Sequence, residues 1–219
     1  MSKIAKLMQQ AAAGAGGAPI EYVGYAGTTG NQTIEITGIP LQEGDLVIAV
    51  YTGDQGGFLE GPSGYTGMHV DYPDGDEASV AYQVSYKFMG STPDTSITTQ
   101  ADVTGLRSQA YAFRNAGAPS GTPDSTALDF QFAYIRINSV TVPDDGSAIV
   151  YFGTVDDDFV DTDVNVSGYT VAGREPVGNS GTTQLGYRLE VPAGTTSTVT
   201  TDWPTQDSCL TLAWIIPPA

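Results

Sequence analysis

The stretch that decides the fold class reads Val80-Ala81-Tyr82-Gln83-Val84-Ser85-Tyr86-Lys87-Phe88. Large apolar side chains alternate in it with small or polar ones, and a period of two is typical of a β-strand. The side that carries Gln83, Ser85 and Lys87 is predicted to face water. The other side is predicted to be buried, and it consists of Val80, Tyr82, Val84, Tyr86 and Phe88.

The same alternation occurs further along the chain, in residues 184–191 and 210–216. Clusters of turn-forming residues separate such runs, among them Gly53-Asp54-Gln55-Gly56-Gly57, Pro143-Asp144-Asp145-Gly146 and Pro192-Ala193-Gly194. Many short strands between turns are typical of an antiparallel β-sandwich or barrel. The predicted fold class is therefore all-β.

The order of segments repeats once along the chain. Residues 44–50, the turn 62–66 and the following strands have counterparts that begin at residues 146 and 166. One copy supplies about half the strands of a sandwich and cannot cover its apolar face alone. We therefore predict one domain over residues 20–219, a jelly-roll-like β-sandwich of two half repeats at about 20–118 and 119–219. Two separately folded subdomains are the alternative.

The first 19 residues differ from the rest in charge and in pattern. They contain Lys3 and Lys6 and no acidic residue, whereas the other residues carry all 25 Asp and Glu. Apolar side chains fall on one helical face, and the Gly-rich residues 14–17 end any helix. We predict an anchoring tail with a Gly-rich linker over residues 1–19, helical or extended, which orders on a partner. A frayed terminus is the alternative. The predicted partner-binding residues are Lys3, Ile4, Lys6, Leu7 and Met8.

Composition excludes several classes of function. The 219 residues include one cysteine, Cys209, and one histidine, His69, which rules out an internal disulfide framework and zinc sites built on several Cys and His. A formal net charge of −17 argues against nucleic-acid partners, because phosphate binding depends on Lys and Arg. No stretch reaches the roughly 18 apolar residues of a membrane span or forms a secretory signal. We expect a soluble protein with no membrane partner.

Three motifs carry a resemblance to known proteins: Gly44-Asp45-Leu46-Val47-Ile48-Ala49-Val50, Pro62-Ser63-Gly64-Tyr65-Thr66 and Leu210-Thr211-Leu212-Ala213-Trp214-Ile215-Ile216-Pro217-Pro218-Ala219. In this order they resemble a broad group of bacteriophage virion proteins. The opening Lys6-Leu7-Met8-Gln9-Gln10-Ala11-Ala12-Ala13-Gly14 is similar to the start of some marine phage structural proteins. Tyr65 and Tyr169 stand where the group has Trp, and the ending lacks its basic residue. The resemblance implies a particle component, such as capsid decoration, head fibre or tail appendage, and carries over no catalytic residue.

Acidic residues concentrate in two places. One is the segment from Asp71 to Glu77, and the other contains Asp156, Asp157, Asp158, Asp161 and Asp163. Oxygen-rich loops can bind Ca²⁺, which takes about six to eight oxygen ligands. Neither segment has the pattern of an EF-hand loop, so solvated loop charge is the main interpretation. Weak Ca²⁺ binding by the five aspartates is the alternative, and no other cofactor is predicted.

Most aromatic residues are predicted to pack in the core rather than to stack on sugars. Tyr65 and Tyr169 each follow a Ser-Gly turn at the same place in the repeat, so we expect them to seal the two ends of one core. The other aromatics named here fall on the buried side of their strands: Tyr82, Tyr86, Phe88, Tyr187 and Trp214.

Nothing in the sequence predicts an enzyme. No nucleophile elbow accompanies His69, and the acidic residues crowd into loops where nothing would raise the pKa of one carboxyl selectively. The prediction is a non-enzymatic virion structural protein, of the capsid decoration (cement) or fibre type, attached to other virion proteins through its tail. We expect a homo-oligomer, made in the host cytoplasm and located in the virion. A carbohydrate-binding module that contacts a host glycan from a tail or fibre is the alternative.

Overall fold

The computed structural model describes residues 17–54, 58–71, 81–120, 134–155, 166–176, 182–202 and 209–219. All the regular secondary structure within these ranges is β-strand, which confirms the all-β class. The same ranges contain no helix that is long and apolar enough to cross a membrane. The strands are β1 (Glu21–Thr29), β2 (Thr33–Glu35), β3 (Leu46–Asp54), β4 (Leu59–Glu60), β5 (Thr66–Asp71), β6 (Ala81–Phe88), β7 (Ser96–Thr98), β8 (Gln100–Ala101), β9 (Thr104–Arg114), β10 (Tyr134–Thr141), β11 (Ser147–Val155), β12 (Thr170–Pro176), β13 (Thr182–Val191), β14 (Thr196–Asp202) and β15 (Cys209–Ile216).

Two main sheets carry the fold, and both are antiparallel. One has five strands in the order β1-β9-β3-β6-β5, and the other has four in the order β12-β13-β11-β15. The first takes all its strands from the chain before residue 115, and the second takes all of its strands from the chain after residue 146. Three two-stranded ribbons complete the structure: β2 with β7, β4 with β8, and β10 with β14.

Both main sheets contribute side chains to one hydrophobic cluster, which we call the inner core. Alternate residues of a strand lie on the same face of the sheet, so Leu46, Ile48 and Val50 of β3 enter the cluster together. Full burial of one such side chain is worth about 1.5–3 kcal/mol. The four-stranded sheet supplies the facing residues Ala148, Val150, Phe152, Leu185, Leu212, Trp214 and Ile216.

Close contacts join the two sheets where β1 meets β12 and β13. The ring of Tyr22 stacks on Tyr187 with centroids 4.6 Å apart, and its hydroxyl donates to the carbonyl of Ala172 at 3.1 Å. The ring of Tyr25 lies so close to Gly173 that any β-carbon there would overlap it. Glycine is therefore needed at this position for steric reasons.

The ribbons cover the outer faces of the main sheets. Val47, Ala49 and Tyr51 point from β3 into a second cluster, where they pack with Ile34 and Ile97 of the β2–β7 ribbon. The four-stranded sheet has two smaller clusters on its outer face, one around Tyr151, Val166 and Ala213, and one around Val142, Ile149 and Val191. We call these two clusters and the second cluster on β3 the outer clusters. Each main sheet is therefore buried over much of both faces.

This arrangement corrects the prediction of a wetted face on residues 80–88. Gln83 and Ser85, expected in water, are 5% and 0% exposed, because the outer side of the sheet is also covered. Phe88, expected in the core, is 40% exposed at the end of β6. Tyr82 is buried as predicted. Alternation along the strand identified two different faces but not what packs on each.

A buried polar seam lies between the two sheets at one end of the inner core. The hydroxyl of Thr183 is 3.1 Å from that of Thr52 and 3.1 Å from that of Thr154. The Nε2 of Gln109 donates to the carbonyl of Thr183 at 3.1 Å, and the hydroxyl of Tyr111 donates to the Oε1 of Gln109 at 2.6 Å. These hydrogen bonds couple strands of both sheets through groups that water does not reach.

Candidate partner-docking site

Residues 17–19 lead into the body beside the end of the described chain. The side-chain Nδ2 of Asn115 donates to the carbonyl of Pro19 at 2.9 Å, and the carbonyl of Asn115 accepts from Ala219 N at 3.0 Å. Asn115 has a φ of 57°, a left-handed conformation that asparagine tolerates better than most residues. Ile20, 2% exposed, then enters the inner core. The exit of the N-terminal segment is thus fixed to the β body.

The connection between the two halves of the chain lies at the same place. Ser120 and Ile215 exchange backbone hydrogen bonds of 2.8 and 3.2 Å, and Gly117 N donates to the carbonyl of Pro217 at 2.7 Å. The start of the described chain, its end and the link after β9 therefore meet at one end of the molecule, which we call the tail end.

An open groove of about 400 Å³ lies at the tail end. One wall is the segment Gly17-Ala18-Pro19, and the others come from the turn before β11, the end of β13 and the segment after β15. The backbone NH of Ala193 donates to the Oδ1 of Asp145 at 2.8 Å, which fixes this carboxylate at the groove. The remaining lining residues are Gly146, Glu190, Pro192 and Pro218.

Glu190 occupies an unusual backbone position in this groove. Its φ is 55°, and it lies where the pairing of β13 with β11 shifts, between Arg188 and Val191. A residue other than glycine with positive φ is uncommon, and such conformations cost on the order of 1–3 kcal/mol. The local pairing of β13 with β11 holds this exposed carboxylate in the wall of the groove.

The groove combines apolar surface with negative charge. Ala18 and the rings of Pro19, Pro192 and Pro218 supply the apolar part, and Asp145 and Glu190 supply the charge. Such a surface suits a segment with both apolar and basic side chains.

The opposite end of the body, which we call the far end, carries the strand ends that flank the acid-rich segments. β11 ends at Val155, immediately before the predicted Ca²⁺ ligands, and β5 ends at Asp71. The ligands themselves, Asp156, Asp157, Asp158, Asp161 and Asp163, lie outside the described residues. Among the residues that are described, no group of three or more His, Cys, Asp or Glu is arranged to hold a metal ion.

Tyr65 and Tyr169 do not seal one core, contrary to expectation. Tyr65 packs on the outer cluster of the five-stranded sheet, and Tyr169 packs on the outer clusters of the other. The hydroxyl of Tyr65 donates to the Oδ2 of Asp94 at 3.3 Å, and that of Tyr169 lies 2.9 Å from the Ser197 hydroxyl. Burial and the Asp94 carboxylate raise the pKa of Tyr65 above its usual value. Both rings hold turns against a sheet and line no common pocket.

The remaining residues named from the sequence lie in different parts of the chain. The tail residues Lys3, Ile4, Lys6, Leu7 and Met8 lie outside the described residues. Trp214 is buried as predicted, Tyr86 and Tyr187 are half-buried against the inner core, and His69 and Cys209 belong to β5 and β15.

Sequence reasoning missed the groove. Residues 143–146 form a predicted turn and Glu190 lies in the predicted strand 184–191, but neither pattern predicts that they meet. Asp145 and Glu190 are 45 residues apart in the chain, and only the pairing of β11 with β13 brings them together. Prolines at positions 192 and 218 were the one local signal of an apolar surface beside a turn.

Comparison with known proteins identifies no family. No protein family, curated protein or solved structure matches this chain.

Proposed function

We propose that this chain is a non-enzymatic virion structural protein, of the capsid decoration or fibre type, attached to other virion proteins through residues 1–19. The resemblance of its motifs to phage virion proteins supports the virion role. The observation that carries the attachment is the fixed exit of residues 17–19 at the tail end, where Asn115 holds the Pro19 carbonyl. A short basic segment anchored to a β body suits a tether.

The two ends of the body have different properties, and this supports an oriented display. β11 runs from Ser147 at the tail end to Val155 at the far end, and nine residues of strand span about 27 Å. The strand ends at the far end flank the segments richest in carboxylates, at residues 71–77 and 156–163. The negative charge of displayed bodies would keep them soluble and apart.

We further infer that the body arose as a duplication of one half repeat. The order β9-β3-β6-β5 in the first sheet matches β15-β11-β13-β12 in the second, strand for strand along the sequence repeat. The ribbon β2–β7 likewise matches β10–β14. The one-domain boundaries and the jelly-roll description stay predictions.

Equivalent turns support the duplication. Gly44 and Gly146 precede β3 and β11 with φ values of 84° and 78°, and Gly64 and Gly168 have φ values of 79° and 82°. The tyrosine that follows each glycine of the second pair closes the same turn. Tyr65 N donates to the carbonyl of Pro62 at 3.1 Å, and Tyr169 N donates to the carbonyl of Val166 at 3.0 Å. Left-handed glycines at matching positions fit one ancestral set of turns.

Removal of residues 1–16 tests the proposed function. The shortened protein should keep its unfolding transition, because Ile20 and the inner core remain, and its incorporation into particles should fall sharply. Lys3→Glu with Lys6→Glu should weaken incorporation in a salt-dependent way, since exposed charges are screened over about 8 Å at physiological ionic strength. Arg188→Glu, which changes an exposed charge on the body, is the control. Full decoration by the shortened protein would contradict attachment through the tail.

The carbohydrate-binding alternative is favoured by one observation, the exposure of two aromatic rings. Phe58 and Phe88 are 46% and 40% exposed, and aromatic faces stack on sugars. A glycan array probed with the purified protein tests this role. Binding that Phe58→Ala or Phe88→Ala abolishes would favour it, whereas a decoration protein should bind no glycan.

A further inference from the structure

We propose that the groove at the tail end binds the N-terminal segment, residues 1–16, of a second copy of this chain. The proposal rests on the docking role proposed above for that segment and identifies its partner. Each copy would then give its segment to the groove of another copy.

The chemistry of the groove matches that of the segment. The groove offers proline rings and the carboxylates of Asp145 and Glu190. The segment contains two cations, Lys3 and Lys6, with apolar side chains around them and no acidic residue.

The groove is fixed before anything binds. The backbone NH of Ala193 holds the Asp145 carboxylate, the hydroxyl of Ser147 donates to the carbonyl of Asp144 at 2.7 Å, and Gly194 N donates to Val142 at 2.8 Å. These bonds tie the turn before β11 to the turn after β13. A preformed site loses little conformational entropy when a segment binds, which favours affinity.

The position of the linker favours the segment of a second copy. Gly17, Ala18 and Pro19 themselves form one wall, so the chain's own segment would have to reverse direction at once to fill the space beside its linker. The 16 preceding residues span up to about 50 Å when extended, nearly twice the length of β11. They are therefore long enough to reach the groove of a neighbour. Two copies that exchange segments form a closed dimer, whereas copies that each pass the segment to a further copy form rings or filaments.

Sedimentation velocity of the full chain over a range of concentrations, at physiological salt, tests the proposal. We expect concentration-dependent association. Asp145→Lys with Glu190→Lys should weaken it about tenfold or more, and Lys3→Glu with Lys6→Glu should do the same. The four changes together reverse both sets of charges and should restore association. This rescue requires that the two sets of residues interact.

Two further variants make the result specific. Glu35→Lys with Asp102→Lys makes the same change in net charge at exposed sites outside the groove lining, and it should not weaken association. If the lysine variants of the groove misfold, Asp145→Asn with Glu190→Gln keeps the side-chain shapes and the acceptor for Ala193, and should still weaken association.

Three outcomes would overturn the proposal. They are a chain that stays monomeric at every concentration, association that the groove variants leave unchanged, and a monomer whose own segment is protected from proteolysis by the groove. Loss of association in the lysine-to-glutamate variant alone would reject the groove while keeping the tail as a docking peptide. Particle decoration without residues 1–16 would instead reject the proposed function, whatever happens in purified solution.

Discussion

At the scale of single residues, two ion pairs illustrate how burial decides the energy of a contact. Asp45 is 1% exposed and accepts from Nε and Nη2 of Arg114, at 2.9 Å each, and from Gln42 N at 2.8 Å. In the Lys87–Asp94 pair, both side chains are about 30% exposed. Solvent screens the Lys87–Asp94 pair, whereas water barely reaches the carboxylate of Asp45.

Asp45→Ala should lower the free energy of unfolding by about 1.5–3 kcal/mol, because it removes a buried carboxylate and leaves Gln42 N without its charged acceptor. Lys87→Met should lower it by about 1 kcal/mol or less. Denaturant unfolding of both variants measures the difference. Equal losses of stability in the two variants would mean that burial does not determine how much each ion pair contributes.

Tyrosine burial predicts sensitivity to alkali. Burial and the neighbouring Tyr187 raise the pKa of Tyr22 to about 12, and burial raises that of Tyr151 to about 12. Tyrosine in the unfolded chain titrates near 10. Between these values only the unfolded chain loses the proton, so stability is complete below about pH 10 and falls as the pH rises toward 12.

The free energy of unfolding, measured at a series of alkaline pH values, checks this expectation. Tyr22→Phe should lower stability at neutral pH by about 1 kcal/mol, through loss of the hydrogen bond to Ala172. It should also make the free energy of unfolding fall less steeply with pH above about 10, by at most about 1.4 kcal/mol per pH unit. The change should be smaller than this limit because the ring is only half-buried. An unchanged slope would mean that Tyr22 titrates alike in both states.

At the scale of elements, the polar seam joins strands of the two sheets through Thr52, Thr154 and Thr183. Thr183→Val keeps the shape but leaves two buried hydroxyls without this partner, so it should cost about 1–3 kcal/mol. Valine at all three positions removes the unsatisfied groups as well. The triple variant should therefore lose less stability than the sum of the single variants. Additive losses in denaturant unfolding would show that the three hydroxyls act independently.

At the scale of the whole molecule, the inner core makes the halves depend on each other. Residues 17–118 alone would expose Leu46, Ile48 and Val50, which pack with the four-stranded sheet in the full chain. We expect this truncated protein to be insoluble, or molten with strong binding of a hydrophobic dye. The chain lacking only residues 1–16 is the control and should unfold cooperatively. A first half with its own cooperative transition would favour two independent domains.

The sequence by itself determined the strands, the turns and the all-β class, because the alternation of side chains along a strand and the conformations open to Gly, Pro, Asn and Asp are local properties. The tertiary structure alone decided that Gln83 and Ser85 are buried, that Tyr65 and Tyr169 pack in separate outer clusters, and that Asp145 and Glu190 share a groove. In each case the partner comes from a distant part of the chain. A period of two distinguishes the faces of a strand, but which segment covers a face depends on strand pairing and sheet packing, and these bring residues together across long separations in sequence.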